Sequence, residues 1–167
     1  MIYKEIRPLI RSGDLIAQSN GSWLTVAGIK TNLIRMFTRS TSSHVGLAWV
    51  VGGRVFMLEA VRPKLRIYPL SGIGDFYHLP LNVTWSEDTE EVALKNVGVT
   101  YSQLVAIKAF FGPLKENDVR QCAAYVLTVL RSAGVNLGTS AIPDHLVLKA
   151  MQAGSSCLLI TQKRTHE

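Results

Sequence analysis

Val45-Gly46-Leu47-Ala48-Trp49-Val50-Val51, then Gly52-Gly53-Arg54, then Val55-Phe56-Met57-Leu58-Glu59-Ala60-Val61 is the stretch that decides the fold. Two β-branched and aromatic runs flank a Gly-Gly pair, which suits the positive φ angles of a tight two-residue turn, so the stretch reads as a β-hairpin. With Gly52-Gly53 as the whole loop, position 46 faces 59 and position 44 faces 61. His44 and Glu59 are then diagonal neighbours on one face, with backbones roughly 7–8 Å apart and side chains within reach. That face also carries Gly46, Ala48, Val55 and Met57, and the other carries Val45, Leu47, Trp49, Phe56 and Leu58. Both faces are apolar, so the hairpin is expected to be covered on both sides, where a carboxylate is costly unless paired. Glu59 needs a partner.

Outward from the hairpin, Ile10 to Gln18 holds a Gly13-Asp14 turn and a short apolar strand. Trp23, Leu24, Ala27, Leu33, Ile34 and Phe37 suit a helix packed on one side, ending in the polar run Arg39 to Ser43. Ile67 to Leu70 and Phe76 to Val83 read as further strands, Ser86 to Glu91 as an acidic surface loop. Tyr101 to Phe111 and Asp118 to Ala133 read as helices, a short third helix opens at Ile142-Pro143-Asp144-His145, and Cys157 to Thr161 reads as a last strand. Strands clustered in the middle with helices on both flanks predict an α+β domain with a central antiparallel sheet or small barrel packed against helices. There are no repeats, low-complexity tracts or linkers, so residues 1–167 are read as a single domain.

A chain of 167 residues, 47% hydrophobic and 18% charged, has the material for one core and is too apolar for a disordered protein. The apolar stretch Val45 to Val61 is cut by Gly52-Gly53, Arg54 and Glu59, short of the roughly 20 residues that span a bilayer. The start Met1-Ile2-Tyr3-Lys4-Glu5 has no signal-peptide core, which predicts a cytoplasmic start. A net charge of +6 and a pI near 9.6 favour anionic partners such as cell-wall polymers or lipid head groups. The small basic clusters, Arg62-Pro63-Lys64-Leu65-Arg66 and Lys163-Arg164, read first as solvated surface. Without basic–aromatic alternation, a glycine-rich phosphate loop or metal-ligand Cys/His spacing, neither nucleic-acid binding, nor a metal, nor a cofactor is expected.

The chain has two cysteines, Cys122 and Cys157. With Asp118 as N-cap, Cys122 falls at the fourth helical position near the positive end of the helix dipole, where a thiol ionises more readily. Val119, Cys122, Ala123, Val126, Leu127 and Leu130 follow helical spacing, so the thiol lies on the buried stripe. Taken alone, such a cysteine is usually a small core hydrophobe. An imidazole steered by a carboxylate is the partner that would make it a nucleophile, and His44 with Glu59 supplies one. Of the rival bases, His78 lacks a neighbouring carboxylate of matching strand phase and His145 sits at a helix start, where a cation is disfavoured. Cys157 reads as a packing residue, and Gly13 and Asp14 as serving the turn.

The segments Ser12-Gly13-Asp14-Leu15-Ile16, Ser43-His44-Val45-Gly46-Leu47, Phe56-Met57-Leu58-Glu59-Ala60, Gln121-Cys122-Ala123-Ala124-Tyr125-Val126 and Ala141-Ile142-Pro143-Asp144-His145-Leu146 together resemble the circularly permuted papain-like hydrolases of the NlpC superfamily, in particular its YiiX-like branch. The resemblance spans about Ile10 to Leu148 and implies Cys122 as nucleophile, His44 as general base and Glu59 as the residue that orients the imidazole. It implies a thioacyl intermediate on an amide or ester, with the oxyanion held by the Cys122 backbone N–H and one further donor. Tyr101 is a candidate for that supporting role, although Ser102 stands where many relatives have an acid. The implied substrate is an amide in peptidoglycan peptides, reached by a virus-like route, by a lysis partner, or as wall fragments inside the cell. Lipid-directed acyl transfer or lipolysis, with Trp23 to Phe37 on a membrane surface, and a non-catalytic binding module on the same fold are the alternatives.

Overall fold

The computed structural model describes residues 1–19, 43–61, 64–95, 97–98 and 118–162. The helices expected over Trp23 to Phe37 and Tyr101 to Phe111, the residue Tyr101 itself, Arg62-Pro63 and Lys163-Arg164 lie outside the described residues. The hairpin forms as expected, from β2 (Ser43–Val51) and β3 (Arg54–Val61). Gly52 and Gly53 adopt φ of +56° and +73°, the pair of left-handed conformations that a two-residue turn needs. Gly46 pairs with Glu59 and Ala48 with Met57, which is the register the turn imposes.

Four more strands extend the hairpin: β1 (Leu15–Ser19), β4 (Lys64–Pro69), β5 (Phe76–Leu79) and β6 (Leu158–Ile160). They make one six-stranded sheet in the order β4-β3-β2-β1-β5-β6, antiparallel at every pairing. Among the described residues the helices are α1 (Tyr3–Ile6), α2 (Glu87–Leu94), α3 (Asp118–Ser132) and α4 (Pro143–Gln152), which gives an α+β domain. Among the described residues, no helix is long and apolar enough to cross a membrane.

Side chains alternate across each strand, so the sheet builds two cores. On one face Leu15, Ala17, Val45, Leu47 and Leu58 pack with Ala123, Val126 and Leu130 of α3 and with Leu146, Val147 and Ala150 of α4. On the other, Ile16, Ala48, Met57, Phe76 and Ile160 pack with Ile6, Ile10, Leu70 and Ile73. The segment before β1 is bonded along β2: the Gly13 N–H donates to the Ala48 carbonyl at 2.9 Å, the Ala48 N–H to the Asp14 carbonyl at 2.8 Å, and the Val50 N–H to Ser12 Oγ at 2.9 Å.

Two expected boundaries move. The acidic run Ser86 to Glu91, expected as a surface loop, is instead the start of α2: Ser86 caps it by accepting the Thr89 N–H at 3.1 Å, and Glu87, Asp88 and Glu90 sit at the positive end of its dipole. Glu90 then fixes α2 to the sheet, because one of its oxygens accepts the indole N–H of Trp49 at 3.1 Å and of Trp85 at 2.9 Å. The strand expected over Phe76 to Val83 ends at Leu79, because Pro80 has no N–H to give a ladder and the Leu81 N–H donates to the Asp14 carboxylate instead.

Gly46 marks the tightest point of the hairpin. A Cβ there would lie 2.5 Å from the Leu58 carbonyl oxygen and 2.7 Å from the Met57 methyl, and a backbone oxygen in a ladder cannot swing aside. Gly46→Ala is therefore expected to lower stability by about 2 kcal/mol, read as a lower urea midpoint. Gly74→Ala, where a Cβ meets nothing within 4 Å, serves as the control and leaves the midpoint in place.

Candidate functional site

The cross-strand diagonal between positions 44 and 59 closes into a contact: His44 Nε2 donates to Glu59 Oε2 at 2.6 Å. The carboxylate is buried, with 1% of its side chain exposed, while the imidazole keeps 22%. Its second oxygen accepts the Arg66 Nε–H, also at 2.6 Å. Arg66 is the direct cross-strand neighbour of Glu59 on β4, its guanidinium lies 4.9 Å from the Tyr68 ring centroid, and half of its side chain reaches solvent. Both oxygens of a buried carboxylate are thus met by cationic or cation-forming donors, which is how such a group survives away from water.

Cys122 comes to the same ring from the helix layer and forms a side-chain hydrogen bond with His44. Cys122 lies on helix α3, which is described from Asp118 on. Of the expected stripe, Cys122, Ala123, Val126, Leu127 and Leu130 are buried, joined by Tyr125 and Val129, and the side chain of Val119 lies outside the described residues. Tyr125 bolts α3 to α2, its hydroxyl donating to the Ala93 carbonyl at 2.8 Å. The sulfur is deep, only 1% of Cys122 being exposed, so the ring edge of His44 is the part of the trio that meets solvent.

The electrostatics follow from these contacts. Burial disfavours a charged ring at His44, but the Cys122 and Glu59 side chains, each hydrogen-bonded to it and each able to carry negative charge, outweigh burial and push its pKa up from 6.5 to about 9. Burial likewise disfavours a charged Glu59, and the hydrogen bonds and charges of His44 and Arg66 override it, holding the carboxyl below its usual range. At neutral pH the ring is protonated and the acid ionised.

Sequence reasoning missed two features. Arg66 reads as part of a basic surface cluster, and the signal that finds it is the pairing of β3 with β4, which sets Arg66 opposite Glu59. His78 does have a carboxylate of matching phase, contrary to expectation: Ile16 pairs with His78, which makes Asp14 its diagonal neighbour across β1 and β5, and His78 Nε2 donates to Asp14 Oδ2 at 2.8 Å. That pairing joins residues 64 apart and requires the sheet order to be known. Asp14 also accepts the Arg11 and Leu81 N–H groups at 2.9 and 3.2 Å, so beyond serving the turn it fastens three segments. Both members of the pair are buried, and His78 Nδ1 has no hydrogen-bond partner among the described residues. His145 is exposed and shares a 2.7 Å hydrogen bond with the Ser140 hydroxyl. Cys157 packs at the edge of the core, where burial pushes its thiol up to about 12. Among the described residues, neither cysteine forms a disulfide.

No protein-family model and no curated protein sequence matches the chain. Among solved structures, the chain is similar to the crystal structure of the metalloprotein YiiX from Escherichia coli O157:H7, DUF1105. The two are 22% identical, with a TM-score of 0.48, over 77% of this chain and 69% of that one. Among the described residues, no group of three or more His, Cys, Asp or Glu side chains could hold a metal ion.

The ion pair ties stability to pH. His44, with its raised pKa, contributes stability that is complete below 6.5 and is lost as pH rises through about 9. Glu59, with its lowered pKa, contributes stability that is present above 4.5 and is lost as pH falls. Urea unfolding of the wild type between pH 4 and 10 is expected to show a plateau between these limits. Glu59→Gln should cost about 2 kcal/mol on that plateau, less than the roughly 3–5 of a fully buried broken pair, because His44 can shed its proton and Arg66 can turn to water. The same variant should flatten the decline between pH 6.5 and 9.

Proposed function

We propose that this chain is a cysteine hydrolase of the permuted papain-like type, in which Cys122 is the nucleophile, His44 the general base and acid, and Glu59 the group that orients the ring. The observation that carries the reading is a single imidazole in contact with both a thiol and a buried, ionised carboxylate. That arrangement is the functional logic of an activated thiol: a base within reach of the nucleophile and a third group that fixes the base.

In this reading Nε2 is held by Glu59, which leaves Nδ1 to exchange a proton with the sulfur. His44 takes that proton, and the thiolate–imidazolium pair so formed agrees with a ring whose proton is retained up to about pH 9. The thiolate attacks the carbonyl carbon of an amide, forming the C–S bond and an oxyanion. As the oxyanion collapses, the C–N bond breaks and the imidazolium gives its proton to the leaving amine. Water then attacks the thioester, with neutral His44 taking its proton. The C–S bond breaks, the acid leaves, and the imidazolium returns its proton to the sulfur, which restores the thiol.

The substrate this reading favours is an amide in peptidoglycan peptides, supported by the resemblance of the motifs around His44, Glu59 and Cys122 and by a net charge of +6, which suits an anionic wall polymer. Lipid-directed acyl chemistry would use the same trio on an ester.

Alkylation by iodoacetamide is expected to separate the two thiols. Cys122 should label readily at pH 7 through its contact with His44. Cys157, pushed up to about 12, should stay nearly unlabelled at pH 7. Equal rates at both thiols with an ordinary midpoint would remove the enzyme reading. Incubation with wall fragments should release new amines, whereas free fatty acid from phospholipid vesicles would point to the lipid chemistry. Cys122→Ala should reduce either release by at least about a thousandfold.

A further inference from the structure

We infer that Arg66 is a positioning residue of the proposed hydrolase, a fourth member of the trio that acts on His44 through Glu59 without touching substrate. The inference rests on the reading of Cys122, His44 and Glu59 above and extends it to a strand that the proposed chemistry does not use.

Geometry makes Arg66 more than a surface counter-charge. Glu59 sits between two donors, His44 Nε2 on one oxygen and Arg66 Nε on the other, both at 2.6 Å. A carboxylate held from one side only can rotate about its terminal torsion, which is broad and soft. Fixed at both oxygens, it presents Oε2 to the ring in one orientation. Arg66 is itself fixed: its backbone is paired opposite Glu59, and its guanidinium lies over the Tyr68 ring at 4.9 Å. The arginine thus arrives with little side-chain freedom left to lose, and its Nε–H, the donor set back on the stem, is the one used.

Charge points the same way. Glu59 is buried, and its His44 partner gives up its proton in each turnover, leaving for that interval a carboxylate whose cation among the described residues is Arg66. A permanent cation on the opposite oxygen keeps Glu59 ionised while the ring is neutral, so the ring is recharged against the same anion every cycle. Removing it leaves a buried acid that protonates at higher pH, and a neutral acid does not support an imidazolium. An opposite charge within 4–6 Å shifts a carboxyl by about 1–3 pH units, and half-exposure of Arg66 sets the expectation at the lower end.

The test is the pH profile of Cys122 alkylation, which needs no knowledge of the substrate. Arg66→Met is expected to move the acidic midpoint up by about one pH unit, so that labelling below that midpoint is about tenfold slower. Arg66→Lys, which keeps the charge, should return most of the shift. Arg66→Gln, which keeps a donor without charge, should behave like Arg66→Met and stands in for it if methionine prevents folding. Cys157 labelling and the circular dichroism melt check that the fold is intact, since a structural effect alone would alter stability without moving the midpoint. A depressed wild-type midpoint with Arg66→Met and Arg66→Gln profiles that both superimpose on the wild-type profile overturns this inference and leaves the hydrolase reading standing. A wild-type midpoint near the free-thiol value overturns both.

Discussion

A carboxylate that has left water must be met by hydrogen-bond donors and positive charge, and in this protein that requirement falls on Glu59. It is 1% exposed, in a strand whose two faces are both covered. Its two oxygens draw in His44 from β2 and Arg66 from β4, so the demand of one acid sets the rotamers of residues on three adjacent strands. The raised pKa of His44 and the lowered one of Glu59 are two sides of the same contact. Helix α3 completes the arrangement by bringing Cys122 to the ring.

What the sequence made legible was local. The Gly52-Gly53 turn, being only two residues long, fixes the pairing of 46 with 59, and from that pairing alone the meeting of His44 and Glu59 follows. The buried stripe of α3 follows from helical spacing. Ser86 as a cap with acids in the first turn was also readable, and the acidic composition obscured it, because a run of charges suggests solvent before it suggests a helix start. Arg66 required one further pairing, and Asp14 with His78 required the position of β1 between β2 and β5, a fact about topology that no window of sequence contains.

The two histidine–carboxylate pairs share a motif and differ in surroundings. His44 reaches solvent and meets both a thiol and a carboxylate, whereas His78 is sealed and, among the described residues, bonded to Asp14 by one nitrogen only. Asp14 spends its remaining capacity on backbone N–H groups of Arg11 and Leu81, which is the behaviour of a fastening. Identical chemistry in the side chains thus serves access in one place and assembly in the other, and burial decides which. Cys157 is held protonated by its apolar setting.

The tight turn at Gly52-Gly53 has a temporal consequence. Closing a short loop costs little entropy, so the imidazole and its acid, 15 residues apart, come together as soon as the hairpin zips. The sulfur belongs to a helix far along the chain and reaches the ring only when that helix docks. The contact of the imidazole with its acid is therefore local in the chain, and that with the sulfur is long-range.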